Sequence, residues 1–289
     1  MWQKWLLAAS ILMCSSAQAE LRHYVASLDN SMWKISEDSP VECQLSHDIP
    51  GYGTAMFTSR SGKDMNMLFT LDMWLKPDAV TQAKLISRAP QWRPGLNSRE
   101  ITTLTYHEQF NGEVPKKAAW AMLNELSQGM VPTFYYADWY NPSSKVAVGI
   151  SSANFSSEYH KFRACLANLL PYGFDDISFT VLNYREGGKE LTRYSKKQLE
   201  RVKRYLEHDQ DVDLILVDAY TDSYGEQAAN QQESELRAQS VKDILVASGI
   251  DQTRISTTGH GERRHVAGNA LATDRQINRR VVIKITKDI

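Results

Sequence analysis

The sequence predicts an α+β fold in two parts: an N-terminal mostly-β domain with two helices, followed by a β-α-β-α-β-β sandwich. In residues 20–155, short runs alternate apolar and polar residues, which is typical of half-buried strands. After Pro171-Tyr172-Gly173, apolar strand-like runs alternate instead with segments of helical periodicity. This change of pattern predicts domains at 20–170 and 171–289.

Two runs carry the strand prediction in the front part. In 65–74 every second residue is apolar, and 145–150 alternates in the same way. Side chains of a strand point alternately to its two faces, so such runs place their apolar residues on one side. Turns rich in glycine, proline and asparagine separate the runs, which predicts short strands joined by tight loops.

Two helices interrupt these strands. The first is predicted at 115–128, because Pro115 is well suited to the first turn of a helix. The second is predicted at 156–170, with Ser156 or Ser157 as its cap, because hydroxyl side chains satisfy free amides at a helix start. The sequence therefore predicts that the front part consists of β structure with two helices packed against it.

The back part alternates strands and helices along its length. Its order is strand 177–183, helix 195–208, strand 214–219, helix 230–248, strand 255–258 and strand 281–286. The run 214–219 is almost wholly apolar, which predicts a strand with both faces covered. The order as a whole predicts helices on one face of a mixed sheet.

The N-terminus has the features of a signal peptide at 1–19. Lys4 precedes the apolar run 5–13, and Ala17-Gln18-Ala19 predicts cleavage before Glu20. The run is too short to span a bilayer. A buried N-terminal helix is one alternative. A lipoprotein anchored at Cys14 is another, although the bulky residue before Cys14 argues against it.

Removal of this peptide leaves two cysteines, Cys43 and Cys165. An even pair in an oxidising compartment predicts a disulfide, which would tie the second helix of the front part to its early strands. Two buried free thiols are the alternative. A zinc site is disfavoured, because neither cysteine has a second cysteine or histidine at metal-binding spacing.

Charge and motifs exclude several function classes. The 33 Lys and Arg residues balance 34 Asp and Glu residues, so nothing indicates a nucleic-acid partner. His260, Glu262 and His265 lie close in sequence but form no known catalytic or metal-binding motif, and are interpreted as polar loop residues. The prediction is a protein that is not an enzyme and has no cofactor and no bound metal.

An ordered set of small and charged residues runs through the back part. In chain order they are Thr221-Asp222, Gly225, Asn230, Ser234, Arg237-Ala238, Gly249-Ile250, Gly259, Gly261-Glu262 and Asn278-Arg279-Arg280. This set resembles the OmpA-like domain. The resemblance implies binding of peptidoglycan through its diaminopimelate group, with Asp222, Asn230, Arg237 and Arg279 at the binding positions.

Physical reasoning is consistent with that implication. Asp222 ends a predicted strand, Arg237 lies halfway along the following helix, and the sheet edge from Asn278 brings Arg279 toward them. A zwitterion fits this group, with its ammonium against Asp222 and its carboxylate held by two hydrogen bonds from Arg237. Alternatively, Asp222 and Arg237 form only a structural salt bridge.

Other residues near this set allow more than one interpretation. Asn230 is either a ligand or only a helix cap. Glu233 stands where OmpA-like domains usually have an apolar residue, and His265 stands near a position where proline is common. These departures put local packing and loop shape in doubt.

The front part carries a second resemblance. Its segments IPGYGTAMF, LNSREITTLTYHEQFNG and PTFYYADWY are similar to the MotY family of sodium-driven polar flagellar motors. This implies a periplasmic protein at the flagellar basal body, where it joins MotX in a ring that recruits the stator complex. The alternative is a general OmpA-family envelope-anchoring protein that is unrelated to the flagellum.

An aromatic cluster in the front part is either core or interface. Its members are Trp120, Phe134, Tyr135, Tyr136, Trp139 and Tyr140. Aromatic residues are enriched at protein interfaces, but they also fill small β cores. No interface residue is predicted from the cluster.

Overall fold

The computed structural model describes residues 21–90, 92–141, 143–185, 190–209 and 211–287. The predicted signal peptide at 1–19, with its cleavage site before Glu20, lies outside these residues. Among the residues that the structure describes, no helix combines the length and apolar character required to span a bilayer.

The described residues of the front half form ten strands and two helices. The strands are β1 (Leu21–Tyr24), β2 (Trp33–Asp38), β3 (Glu42–Ile49), β4 (Gly53–Arg60), β5 (Leu68–Met73), β6 (Thr81–Arg88), β7 (Arg99–Tyr106), β8 (Gly112–Val114), β9 (Val131–Ala137) and β10 (Lys145–Gly149). The helices are α1 (Lys116–Ser127) and α2 (Phe155–Asn168). The α+β class is therefore confirmed in this half, with the two helices that the sequence predicts.

Two five-stranded sheets enclose the front core. Their strand orders are β1-β10-β9-β6-β7 and β2-β3-β4-β5-β8. Phe69 of one sheet stacks on Phe134 of the other, with ring centroids 5.6 Å apart. Phe69, Leu71 and Met73 are buried, as the alternation predicts, but β5 begins only at Leu68 and Met65 is half exposed.

Helix α2 closes the end of this core. It begins at Phe155 after Asn154, whose left-handed φ of 59° ends the preceding turn, so the predicted caps Ser156 and Ser157 lie inside the helix. Its residue Cys165 forms a disulfide with Cys43 on β3, with Cα atoms 6.0 Å apart. The covalent link therefore holds α2 against the sheet that contains β3.

The back half forms a four-stranded sheet with helices on one face. Its elements are α3 (Phe174–Ile177), β11 (Phe179–Asn183), α4 (Arg193–Leu206), β12 (Val212–Tyr220), α5 (Gln227–Ala247), β13 (Ile255–Gly259), α6 (Ala272–Asn278) and β14 (Arg280–Lys287). The order across the sheet is β11-β14-β12-β13, and only the β12–β13 pair is parallel. The mixed sheet and the helical layer are as predicted.

Three details differ from the prediction. The β-α-β-α-β-β order misses α6, a seven-residue helix whose Ile277 is exposed, so no apolar stripe marks it in the sequence. β14 is an inner strand of the sheet, whereas Arg279 was expected at a sheet edge. Leu214 is 38% exposed, so β12 is not covered on both faces.

The two halves pack directly on each other. The Leu170 amide donates to the Pro40 carbonyl at 2.8 Å, and Val41 is buried with the core of the back half. Gly173 lies so close to the front half that a Cβ there would come within 2.7 Å of the Ser61 carbonyl oxygen. The predicted boundary at 170/171 falls within this junction.

We expect loss of the disulfide to destabilise the front half by up to about 5 kcal/mol, the chain-entropy value for a long loop. The two cysteines are 122 residues apart in sequence. All seven tryptophans precede residue 141, so tryptophan fluorescence during denaturant unfolding reports on this half. The reduced wild type and a Cys43→Ser/Cys165→Ser variant should both unfold at lower denaturant concentration than the oxidised protein.

The same variant supplies the control, because a reductant should leave its unfolding midpoint unchanged. Equal midpoints for the oxidised wild type and the serine variant would contradict a stabilising role for the bond.

Candidate functional site

The candidate site lies where β12 ends and the chain turns into α5. Thr221 and Asp222 follow β12, and both are buried. Gly225 then adopts a φ of +111°, a conformation that residues with a Cβ rarely adopt. The glycine lets the chain reverse within a few residues, so that the first turns of α5 stand beside Asp222.

The Asp222 carboxylate is held on both oxygens. Its Oδ2 accepts a hydrogen bond from Arg279 Nη1 at 2.7 Å, and its Oδ1 accepts one from the Tyr224 amide at 2.9 Å. Only 7% of its side chain is exposed. The predicted salt-bridge alternative paired Asp222 with Arg237, but the structure pairs it with Arg279, which lies just before β14.

Arg237 reaches the same place from the third turn of α5. Its guanidinium lies over the Tyr184 ring, 4.7 Å from the centroid, and its Nη1 donates to the Tyr220 carbonyl at 3.4 Å. Its Nη2 is 3.1 Å from Glu233 Oε1. The guanidinium is therefore held by an aromatic face, a carbonyl and a carboxylate.

Burial lowers the pKa of the Arg237 guanidinium, and the negative charge of Glu233 opposes this effect. The charges of Arg279 and Asp222 also act on this pKa, which places all of these side chains in one electrostatic group. Arginine remains charged near neutral pH despite such shifts. Among the described residues, Arg237 and Arg279 therefore lie close to the carboxylates of Asp222 and Glu233.

Asn230 is not a helix cap. Helix α5 begins at Gln227, and its N-cap position is Glu226, so Asn230 already lies inside the helix. Its Nδ2 donates to Glu262 Oε2 at 3.0 Å. Its Oδ1 faces Gly225, where an added Cβ would lie 3.7 Å away. Asn230 thus lies beside the turn that carries Asp222 and is bonded to Glu262.

Asn278 organises the loop on the other side of the site. Its Oδ1 accepts from the amides of Val266 and Ala267, and its Nδ2 donates to the Ala267 and Gly268 carbonyls and to Asn269 Oδ1. Asn269 Oδ1 also accepts from the Ser223 amide at 3.2 Å, next to Asp222. Asn278 is in the sequence motif, but only the structure reveals that it joins this loop to the turn.

The three polar loop residues identified in the sequence, His260, Glu262 and His265, each contact a different side chain. His260 lies 2.9 Å from Asp218, and His265 lies 2.9 Å from the Asn269 side chain. Glu262 accepts from Asn230. Within the described part of the chain, no three His, Cys, Asp or Glu side chains are grouped as metal ligands would be.

The aromatic cluster of the front half belongs mainly to its core. Phe134 and Tyr136 are buried, and Trp120 and Trp139 pack against the same core. Tyr140 alone among the six is strongly exposed, at 60%. The sequence density of aromatic residues therefore reflects core packing in most of this cluster.

Comparison with known proteins gives a family match for each half. The MotY N-terminal domain matches residues 24–171, and the OmpA family matches residues 183–279. Together the two matches cover the elements β2 to α2 and α4 to α6, including the candidate site.

Three proteins illustrate these similarities. The sodium-type flagellar protein MotY of Vibrio parahaemolyticus is 41% identical over 286 residues, covering 98% of this chain and 98% of that protein. Outer membrane protein A of Bordetella avium is 47% identical over 75 residues, 26% of this chain and 39% of that protein. The peptidoglycan-associated lipoprotein from Burkholderia pseudomallei, a crystal structure, covers 37% of this chain and 89% of that one, with 19% identity and a TM-score of 0.34.

We expect Asn278→Asp to destabilise the back half by about 2 kcal/mol or more, since it replaces an amide whose two N–H groups are shared among three acceptors, each hydrogen bond being worth about 1 kcal/mol. The new oxygen would also face carbonyl oxygens. Hydrogen exchange should show faster exchange at the amides of residues 266–269, and thermal unfolding followed by circular dichroism should shift to lower temperature.

The matched control is Asn168→Asp, the same substitution at an exposed position. It should leave both measurements unchanged. Unaltered exchange at 266–269 in the Asn278 variant would show that this side chain does not order the loop.

Proposed function

We propose that this chain, which belongs to the MotY family, is a periplasmic component of a sodium-type flagellar motor. The proposal extends to it the flagellar role in the name of its Vibrio parahaemolyticus relative, to which it is similar over nearly its whole length. The proposed role is structural and not enzymatic: the protein connects the motor to the cell wall. The back half binds peptidoglycan, and the front half associates with the flagellar basal body.

The observation that carries the wall-binding proposal is the placement of Asp222 and Arg237. Both side chains are 7% exposed, and they lie at the end of β12 with opposite charges. Peptidoglycan with diaminopimelate offers an ammonium and a carboxylate on the same carbon atom. In the proposed complex the ammonium binds near Asp222 and the carboxylate binds Arg237 through paired hydrogen bonds.

The other two site residues, Arg279 and Asn230, lie close to Asp222 and its turn. Arg279 orients the Asp222 carboxylate through its 2.7 Å contact. Asn230 lies beside the glycine turn that carries Asp222, with its side chain bonded to Glu262. A ligand ammonium would share Asp222 with Arg279, since a carboxylate can accept several hydrogen bonds at once.

The front half is proposed to dock on the basal body together with MotX, in a ring that supports assembly of the stator complex. Its match to the MotY N-terminal domain supports this assignment. A general envelope-anchoring protein would share the back half but would have no reason to carry the MotY front half. The match therefore favours the motor role.

We expect deletion of the gene to leave the flagellar filament in place and to abolish swimming, because the stators would lose their support. The full-length chain should restore swimming in soft agar. The full-length variant Asp222→Ala/Arg237→Ala should restore less, while fluorescent fusions of both proteins still localise to the flagellar base. Normal swimming after deletion, or loss of polar localisation in the double variant alone, would contradict this division of labour.

We expect Asp222→Ala and Arg237→Ala each to weaken binding to purified sacculi at least about 30-fold. Removing one partner of a desolvated charge pair costs about 2–5 kcal/mol, and 1.4 kcal/mol is about tenfold. Arg237→Lys should also weaken binding, because lysine cannot make the two parallel hydrogen bonds. The measurement is co-sedimentation across a range of sacculus concentrations, with folding checked by circular dichroism.

Exposed charges on the same half supply the controls. Asp213→Ala and Lys284→Ala change the charge equally but lie outside the site, so they should bind as the wild type does. If folded Asp222 and Arg237 variants sediment as well as a wild type that binds, these residues are structural and the proposed site is wrong.

A further inference from the structure

Glu233 is the charged neighbour of Arg237 that the proposed binding mode leaves unexplained. It lies one turn earlier on α5, with its Oε1 3.1 Å from Arg237 Nη2. The two side chains differ sharply in exposure: 46% for Glu233 and 7% for Arg237. The pair thus joins a guanidinium fixed inside the protein to a carboxylate at its surface.

We propose that Glu233 is a built-in competitor, whose carboxylate occupies the part of Arg237 that the ligand carboxylate must bind. This inference rests on the proposed function, in which Arg237 receives a carboxylate of peptidoglycan. It goes beyond that function because it gives Glu233 a role in setting the affinity of the site for peptidoglycan.

The chemistry of the contact supports the assignment. The carboxylate of Glu233 and that of an amino-acid ligand have the same shape, the same charge and the same preference for paired guanidinium hydrogen bonds. Two carboxylates cannot occupy one guanidinium edge without strong repulsion. Binding of the ligand therefore requires Glu233 to leave Nη2 or to share it at a cost.

The geometry determines which side chain moves. Arg237 is held over Tyr184 and bonded to the Tyr220 carbonyl, so its guanidinium cannot follow a departing partner. Glu233 is nearly half exposed, and a rotation of its side chain carries the carboxylate into water, where it is well solvated. The exchange of one carboxylate for another is therefore feasible without a change of backbone.

The described ion pairs also explain why both charges of the ligand matter. Asp222 is paired with Arg279, and Glu233 with Arg237. A zwitterion that replaces Glu233 at Arg237 exchanges one carboxylate for another and adds an ammonium at Asp222, so it gains a contact that Glu233 does not make. A ligand with a carboxylate but no ammonium would displace Glu233 without that second contact and should bind more weakly.

The test compares Glu233→Gln with Glu235→Gln in the full-length protein. Glu235 is an exposed acid on the same helix whose carboxylate accepts from Gln231, so its substitution removes the same charge without touching Arg237. The probes are free meso-diaminopimelate, measured by titration calorimetry, and purified sacculi, measured by co-sedimentation. Glutamine keeps the size of the side chain and removes only its charge.

We expect Glu233→Gln to bind both probes about two- to fivefold more tightly than the wild type, the range that corresponds to partly exposed ion pairs. Glu235→Gln should match the wild type. In an Arg237→Ala background, Glu233→Gln should bring no gain, because the competition acts through Arg237. This cycle separates a local effect from a general change in surface charge.

The outcomes distinguish this inference from the proposed function. If the wild type binds in a manner that depends on Arg237 but Glu233→Gln binds no better, the inference is wrong and the proposed site stands. A gain that persists without Arg237, or that Glu235→Gln reproduces, also overturns it. If neither the wild type nor Glu233→Gln binds either probe, both proposals fail.

Discussion

A carboxylate cannot remain charged inside a protein unless cations or amides surround it, and the back half is arranged around this constraint at Asp222. Arg279 supplies the cation because β14 lies next to β12 in the sheet, with its first residue beside the end of that strand. The Tyr224 amide supplies the second contact. The central position of β14 and the turn after β12 are thus parts of one electrostatic arrangement.

The same constraint explains the dense hydrogen bonding around the site. Burial of Asn278 requires partners for both ends of its amide, and the loop 266–269 provides them. That loop in turn holds the Ser223 amide through Asn269. Each buried polar group therefore orders a neighbouring stretch of backbone, and together these contacts hold the charged side chains in place.

The sequence predicts the fold class and most elements because their patterns are strong. The stripe of α4 and the alternation of β5 follow directly from burial, whereas α6 lacks an apolar stripe and cannot be recognised by periodicity. The site residues could be named from their motif, but their pairing could not. Whether Asp222 contacts Arg237 or Arg279 depends on strand order, which the motif does not give. The i,i+4 spacing of Glu233 and Arg237 does indicate their contact, once both are placed on one helix.

The junction between the halves has a mechanical consequence. Leu170 bonds to the Pro40 carbonyl, and Lys63 forms an ion pair with Asp176 at 2.6 Å, so the halves meet over a packed surface and not through a loose tether. A pull on the back half would pass into α2 and, through the disulfide, directly into β3. Such a molecule transmits force from one half to the other with little relative movement, and its fold sets the distance between its two ends.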